Sequence, residues 1–116
     1  MAAKLRSKDG GCPWDQKQTV ESLKKCILEE AAEVAEAIDE GDAKHIEEEL
    51  GDLLFNMVLI AQIASEKGDF DMKGVLERIG EKIISRHTWV FGTDKASTPE
   101  EAVALWMKNK EKERKN

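Results

Sequence analysis

The chain has little of several things, and each shortage narrows the field. It has two cysteines, Cys12 and Cys26, in 116 residues, too few for a disulfide framework and without the spacing of a metal knuckle. Both read as reduced thiols of a cytoplasmic protein. No apolar run reaches the roughly 18 residues of a membrane span, and the longest, Leu53 to Ala64, is broken by Asn56 and Gln62. Lys4, Arg6, Lys8 and Asp9 have no hydrophobic stretch behind them, so a secretory signal is not expected. Basic residues are the minority: 18 Lys and Arg face 24 Asp and Glu, for a net charge of −6. Such a balance argues against binding a nucleic-acid polymer through net charge, while leaving polyphosphate reachable through a metal ion. Period-two alternation is missing too, which removes any demand for strands.

What is present is helical periodicity, and the expected fold is all-α, a four-helix bundle-like single domain over residues 1–116 with a core of about 5–112. Asp15 can cap a first helix running to about Glu40. Gly41 then supplies the stop and Asp42 a fresh cap, so the next helix folds back as an antiparallel hairpin and ends near Lys67–Gly68. A third helix is expected from Asp71 to Arg86 or His87, then a loop over Thr88 to Ser97. Thr98-Pro99-Glu100-Glu101 starts a fourth, with Thr98 as cap and Glu101 completing a capping box. From Lys108 to Asn116 it is nearly all charged and is expected to fray.

The second helix carries Ile46, Leu50, Leu53, Met57, Ile60 and Ala64 at spacings of 4, 3, 4, 3 and 4, which predicts a packing seam. Met57 and Met72 are assigned to the core. Leu54, Phe55, Val58, Leu59 and Ile63 cover most of the remaining circumference. A helix apolar nearly all round needs burial nearly all round, which a chain this short does not provide, so a two-fold homodimer is expected.

The acids are the informative residues. The first helix has the stripe Ile27, Ala31, Val34 and Ile38, with Glu30 and Glu33 one position before two of its members; on the second, Glu49 and Asp52 precede Leu50 and Leu53. Each pair is spaced i, i+3, so two antiparallel helices can aim four carboxylates at one point, about 100° around from the core stripe. An ordinary solvated acidic face has cations three or four residues away, as Glu29 has Lys25 and Glu47 and Glu48 have Lys44. Glu30, Glu33 and Asp52 have none and Glu49 has only His45, so an external cation is invited. Oxygen ligands alone favour Mg²⁺ or Mn²⁺ over Zn²⁺, and a di-iron bundle would need Glu-x-x-His pairs, which do not occur. Mid-helix Gly51, between Glu49 and Asp52, reads equally as a close helix crossing or as room for ligand.

Gly11-Cys12-Pro13-Trp14-Asp15, Glu29-Glu30-Ala31-Ala32-Glu33, Glu48-Glu49-Leu50-Gly51-Asp52-Leu53-Leu54, and Arg86-His87 before Val90-Phe91-Gly92 closely resemble the MazG nucleoside triphosphate pyrophosphohydrolases over about Leu5 to Lys112. The resemblance implies an all-α dimer or dimer of dimers, with Mg²⁺ held by Glu30, Glu33, Glu49 and Asp52. Its implied reaction, a house-cleaning of nucleotide pools, takes a nucleoside triphosphate (NTP or dNTP) to the monophosphate and pyrophosphate. Glu29 or Glu33 would orient or deprotonate the attacking water. Arg86 and Lys110 stand at family-like positions for phosphate contact, with Lys17 and Arg78 as weaker candidates. Trp14 reads either as a cap over the first helix or as a face on which a base stacks. His87 reads as a phosphate contact or a satisfied histidine, and His87-Thr88-Trp89 replaces the family's His-Pro-His. The same superfamily contains dUTP, dCTP and phosphoribosyl-ATP pyrophosphohydrolases. The rival from another class is a non-catalytic helical dimerisation or regulatory module.

Overall fold

The computed structural model describes residues 1–115, with side chains to Arg114; Asn116, the end of the charged run, lies outside the described residues. Seven helices follow one another: α1 (Ala2–Leu5), α2 (Pro13–Lys17), α3 (Val20–Glu40), α4 (Ala43–Glu66), α5 (Met72–Arg86), α6 (Thr88–Phe91) and α7 (Pro99–Lys115). Among the described residues there is no strand. No helix there is long and apolar enough to cross a membrane. The backbone forms two compact units, Met1–Met72 and Lys73 onward.

The first unit is built around the α3–α4 hairpin. Thr19, not Asp15, caps its first long helix: Thr19 Oγ1 accepts from Ser22 N–H while Ser22 Oγ accepts from Thr19 N–H. Asp15 instead sits buried inside the separate turn α2, whose first residue is Pro13. The four residues Gln18 to Glu21 look helical by composition, but the Thr19–Ser22 exchange captures the backbone groups and breaks the helix there. At the far end Gly41 adopts φ +77°, a left-handed cap that few other residues tolerate, and Asp42 Oδ1 accepts from Lys44 N–H to start α4.

The hairpin packs along a line different from the expected seam. Leu50 and Met57 are 50% and 44% exposed, so Met57 is not a core residue, whereas Asn56, Leu59 and Ile63 are buried. Across from them Leu23 and Ala37 are fully buried, while Ala31 and Ile38 are exposed. Leu23, Leu59 and Ile63 form the core, flanked by Val20, Cys26 and Ile60. Because α4 is apolar on almost every side, periodicity alone does not select which side meets α3. The selected lines are 23, 26, 30, 34, 37 and 49, 52, 56, 59, 63, and both contain acids.

The N-terminal segment is fastened to the end of α4. Arg6 makes a two-pronged pair with Glu66, Nε to Oε2 and Nη2 to Oε1, both at 2.9 Å. Its Nη1 donates to the backbone oxygens of Asp15 and Gln18, fixing α2. Gly11 is required where the chain doubles back, since a Cβ there would lie 2.2 Å from Ser7 O.

In the second unit α6, which the sequence suggests only as loop, packs on α7. Thr98 Oγ1 accepts from Glu101 N–H as expected. The charged end of α7 does not fray: it stays helical to Lys115, with Glu113 bonded to Ser85 Oγ and paired with Arg86 at 2.9 Å.

Candidate active site

Halfway along the hairpin, the packing lines of α3 and α4 change from apolar to acidic. Glu30, Glu49 and Asp52 each present an oxygen within 4.8 Å of the others. Glu30 and Glu49 are half-buried and Asp52 is exposed. These acids therefore extend the packing line itself, and the expected flank position, about 100° from the core, is corrected: the real packing faces include Glu30 and Glu49. Glu33 is beside the three, close enough to raise the proton affinity of both buried partners.

The electrostatics are those of crowded anions. The Glu30 carboxyl is pushed up to about 7, first by burial, then by the charge and hydrogen bonding of Glu33, with Asp52 and Glu49 adding. Glu49 is raised as well, by its hydrogen bond with Glu33, then burial and the neighbouring charges, against a lowering by His45. His45 bridges Glu40 Oε2 through Nδ1 at 2.9 Å and approaches Glu49 Oε1 through Nε2 at 3.3 Å, which raises its own proton affinity, chiefly through Glu40. Glu30 Oε2 and Glu49 Oε2 are buried and receive no hydrogen bond. Unpaired buried acceptors that repel one another fit an oxygen-seeking divalent cation, with Glu30, Glu49 and Asp52 as its holders and Glu33 in reach.

A cavity of about 320 Å³ opens beside this cluster, lined by Trp14, Cys26, Glu29, Glu30, Asp52, Phe55 and Asn56. That is near the lower bound of ordinary small-molecule sites, roughly 300–1,000 Å³. Trp14 is 51% exposed, so it is not merely a buried cap on α3. Glu29 lines the cavity while keeping a 3.8 Å surface pair with Lys25. Lys17, exposed on α2, is not among the lining residues. A Cβ on Gly51 would meet nothing within 4 Å, which removes the close helix crossing within this chain as the reason for that glycine.

Arg86 and Lys110 belong to the second unit, where they flank Trp106 with their charges 5.4 and 5.0 Å from its ring centre. The Arg86 guanidinium is paired with Glu113. Arg78 is exposed on α5. His87 is satisfied, Nδ1 donating to Ile83 O at 2.6 Å, because a carbonyl can only accept. Sequence reasoning passed over three residues of the cavity, Cys26, Phe55 and Asn56. The signal for Asn56 was present as the polar interruption of an apolar run one turn after Asp52.

Comparison with known proteins identifies the family. Residues 18–91 match the family model described as MazG nucleotide pyrophosphohydrolase domain. The chain is 52% identical over 89 residues to the nucleoside triphosphate pyrophosphohydrolase/pyrophosphatase MazG of Thermotoga maritima, covering 77% of this chain and 34% of that protein. To the nucleoside triphosphate pyrophosphohydrolase of Escherichia coli K12 it is 40% identical over 111 residues, 96% of this chain and 42% of that protein. It thus spans less than half the length of these relatives. The crystal structure of a mazG-related protein from Thermotoga maritima superposes with a TM-score of 0.72 at 35% identity, over 86% of this chain and 87% of that one.

Proposed function

The chain belongs to the MazG family, and from that premise we propose that it is a Mg²⁺-dependent pyrophosphohydrolase converting nucleoside or deoxynucleoside triphosphates to the monophosphate and pyrophosphate. The observation that carries the reading is the convergence of Glu30, Glu49 and Asp52 within 4.8 Å, with two buried oxygens lacking any donor. A divalent cation held there by Glu30, Glu49 and Asp52, Mg²⁺ or Mn²⁺, would neutralise polyphosphate charge.

The chain's own residues supply the rest. Glu30, Glu49 and Asp52 would hold the cation that the polyphosphate end of the substrate needs, and Trp14 offers an exposed ring in the adjoining cavity on which a base can stack. Water attacks the α-phosphorus, the bond from that phosphorus to the bridging oxygen breaks, and pyrophosphate leaves. Of the two candidates to orient that water and take its proton, Glu33 is favoured, because it neighbours Glu30 and Glu49 without belonging to the three-oxygen cluster, whereas Glu29 is paired with Lys25. Arg86 and Lys110 are proposed as phosphate contacts by their family-like positions, with Lys17 as a weaker candidate. Leu50, Leu54 and Met57, exposed on α4, support a homodimer in which a second copy covers that face. The protein is assigned to the cytoplasm, in nucleotide-pool maintenance.

Pyrophosphate release from a panel of NTPs and dNTPs, with and without Mg²⁺, tests the reading. Asp52→Ala or Glu49→Ala should lower turnover on the order of 10²–10⁴-fold, the several kcal/mol a lost metal ligand costs the transition state, with circular dichroism unchanged. Full turnover in either folded variant overturns it. A helical module without catalysis would instead give no heat of binding with Mg²⁺ and a non-hydrolysable triphosphate.

A further inference from the structure

Of the polar side chains that line the cavity and that hydrolysis does not use, Asn56 is the only neutral amide. Asn56 is only 8% exposed, yet it stands on the packing line of α4 between the acids and Leu59. Its Nδ2 donates to the backbone oxygen of Asp52 at 3.1 Å. A carbonyl oxygen only accepts, so this bond decides which end of the amide is nitrogen and turns Oδ1 away from that carbonyl. Among the described residues no group donates to Oδ1, and it is absent from the fully enclosed unbonded atoms, so it is not sealed from solvent, and Asn56 is one of the residues that line the cavity. Beside the carboxylates the wall therefore holds a neutral acceptor whose polarity that bond fixes, one helical turn from Asp52 and in the same cavity as Trp14.

We propose that Asn56 is the specificity-determining residue of the site, its Oδ1 accepting a hydrogen bond from an amino or imide N–H of the nucleobase seated beside Trp14. The assignment rests on the pyrophosphohydrolase reading above. An acceptor fixed in the cavity wall favours the base that brings a donor to it, because any other base, once seated, shuts water away from that acceptor and leaves it unpaired. Bases differ in where along their edge the N–H lies, so a fixed acceptor sorts them by position.

Steady-state kinetics of wild type, Asn56→Leu and Asn56→Ala on ATP, GTP, CTP and UTP test this, with inorganic tripolyphosphate as a competitor that has no base. Wild type should favour one base on the order of tenfold, the scale of a single hydrogen bond. In the variants that preference should shrink to within about threefold through a rise in KM for the favoured base, kcat being retained because no transition-state contact is lost. Inhibition by tripolyphosphate should not move, which separates base reading from a structural role in placing Asp52. An unchanged base ranking in either folded variant overturns the proposal, as does a wild type indifferent to the base. A wild type that hydrolyses no triphosphate overturns the pyrophosphohydrolase reading first and this assignment with it.

Discussion

Two stretches of the α3–α4 interface, one at the open end of the hairpin and one halfway along it, are made by the same geometry and put to opposite uses. At one, Leu23, Leu59 and Ile63 exclude water; at the other, Glu30, Glu49 and Asp52 face each other at the same helix spacing. Packing against a helix fixes a side chain's position whatever its chemistry. The apolar stretch thereby yields stability, and the acidic stretch uses the same rigidity to hold like charges closer than they would stay on a free surface. The lesson is that the site is a part of the core whose side chains have been exchanged for carboxylates, and it draws its precision from the dry end.

The comparison breaks most visibly at Leu59. Leu59→Ala should cost about 2–5 kcal/mol in chemical denaturation, as buried leucine truncations do. Glu30→Gln should cost cation-free protein no stability, since it removes a repelled charge; equal losses from the two variants would erase the distinction between the stretches. Gly51→Ala sharpens it further. Ala is favoured over Gly inside a helix by about 1 kcal/mol, and a Cβ there meets nothing within 4 Å. Denaturation should show that gain, while pyrophosphate release falls if the open space beside the acids accommodates substrate.

The smallest effect is a slope. Glu30 binds its proton more tightly folded, near pH 7, than as a free side chain near 4.5. Between those values the folded state carries more protons than the unfolded one, so cation-free protein should lose stability as pH rises through that window. Glu66, lowered by Arg6, and Glu113, lowered by Ser85 and Arg86, act in the opposite sense and lose their contribution on acidification. They are common to both proteins, so the difference in melting temperature between wild type and Glu30→Gln reports Glu30 together with the acids coupled to it. It should widen in favour of the variant from pH 5 to 7.5 without divalent ion, and Mg²⁺ should reduce it.

Much of this was legible beforehand because it depends on local chemistry. Gly41-Asp42 and Thr98-Pro99 mark helix ends through backbone rules that hold in any surroundings, and both are helix boundaries in the structure. The acids stood out because Glu30, Glu33 and Asp52 lack cations within a turn, which is again local. What depended on distant partners was not legible. The side of α4 that meets α3 is settled by α3, so Leu50 and Met57 were misplaced and Asn56 passed as an interruption. The turns α1, α2 and α6 are four or five residues long, too short for periodicity to register.

The Arg6 fork joins three stretches of chain at one guanidinium: the end of α4, the turn that carries Trp14, and the approach to α3. Such a knot can come undone while the long hairpin persists. Gentle warming would then silence the protein before its spectrum changed, and shelf life judged by helicity alone would be overstated.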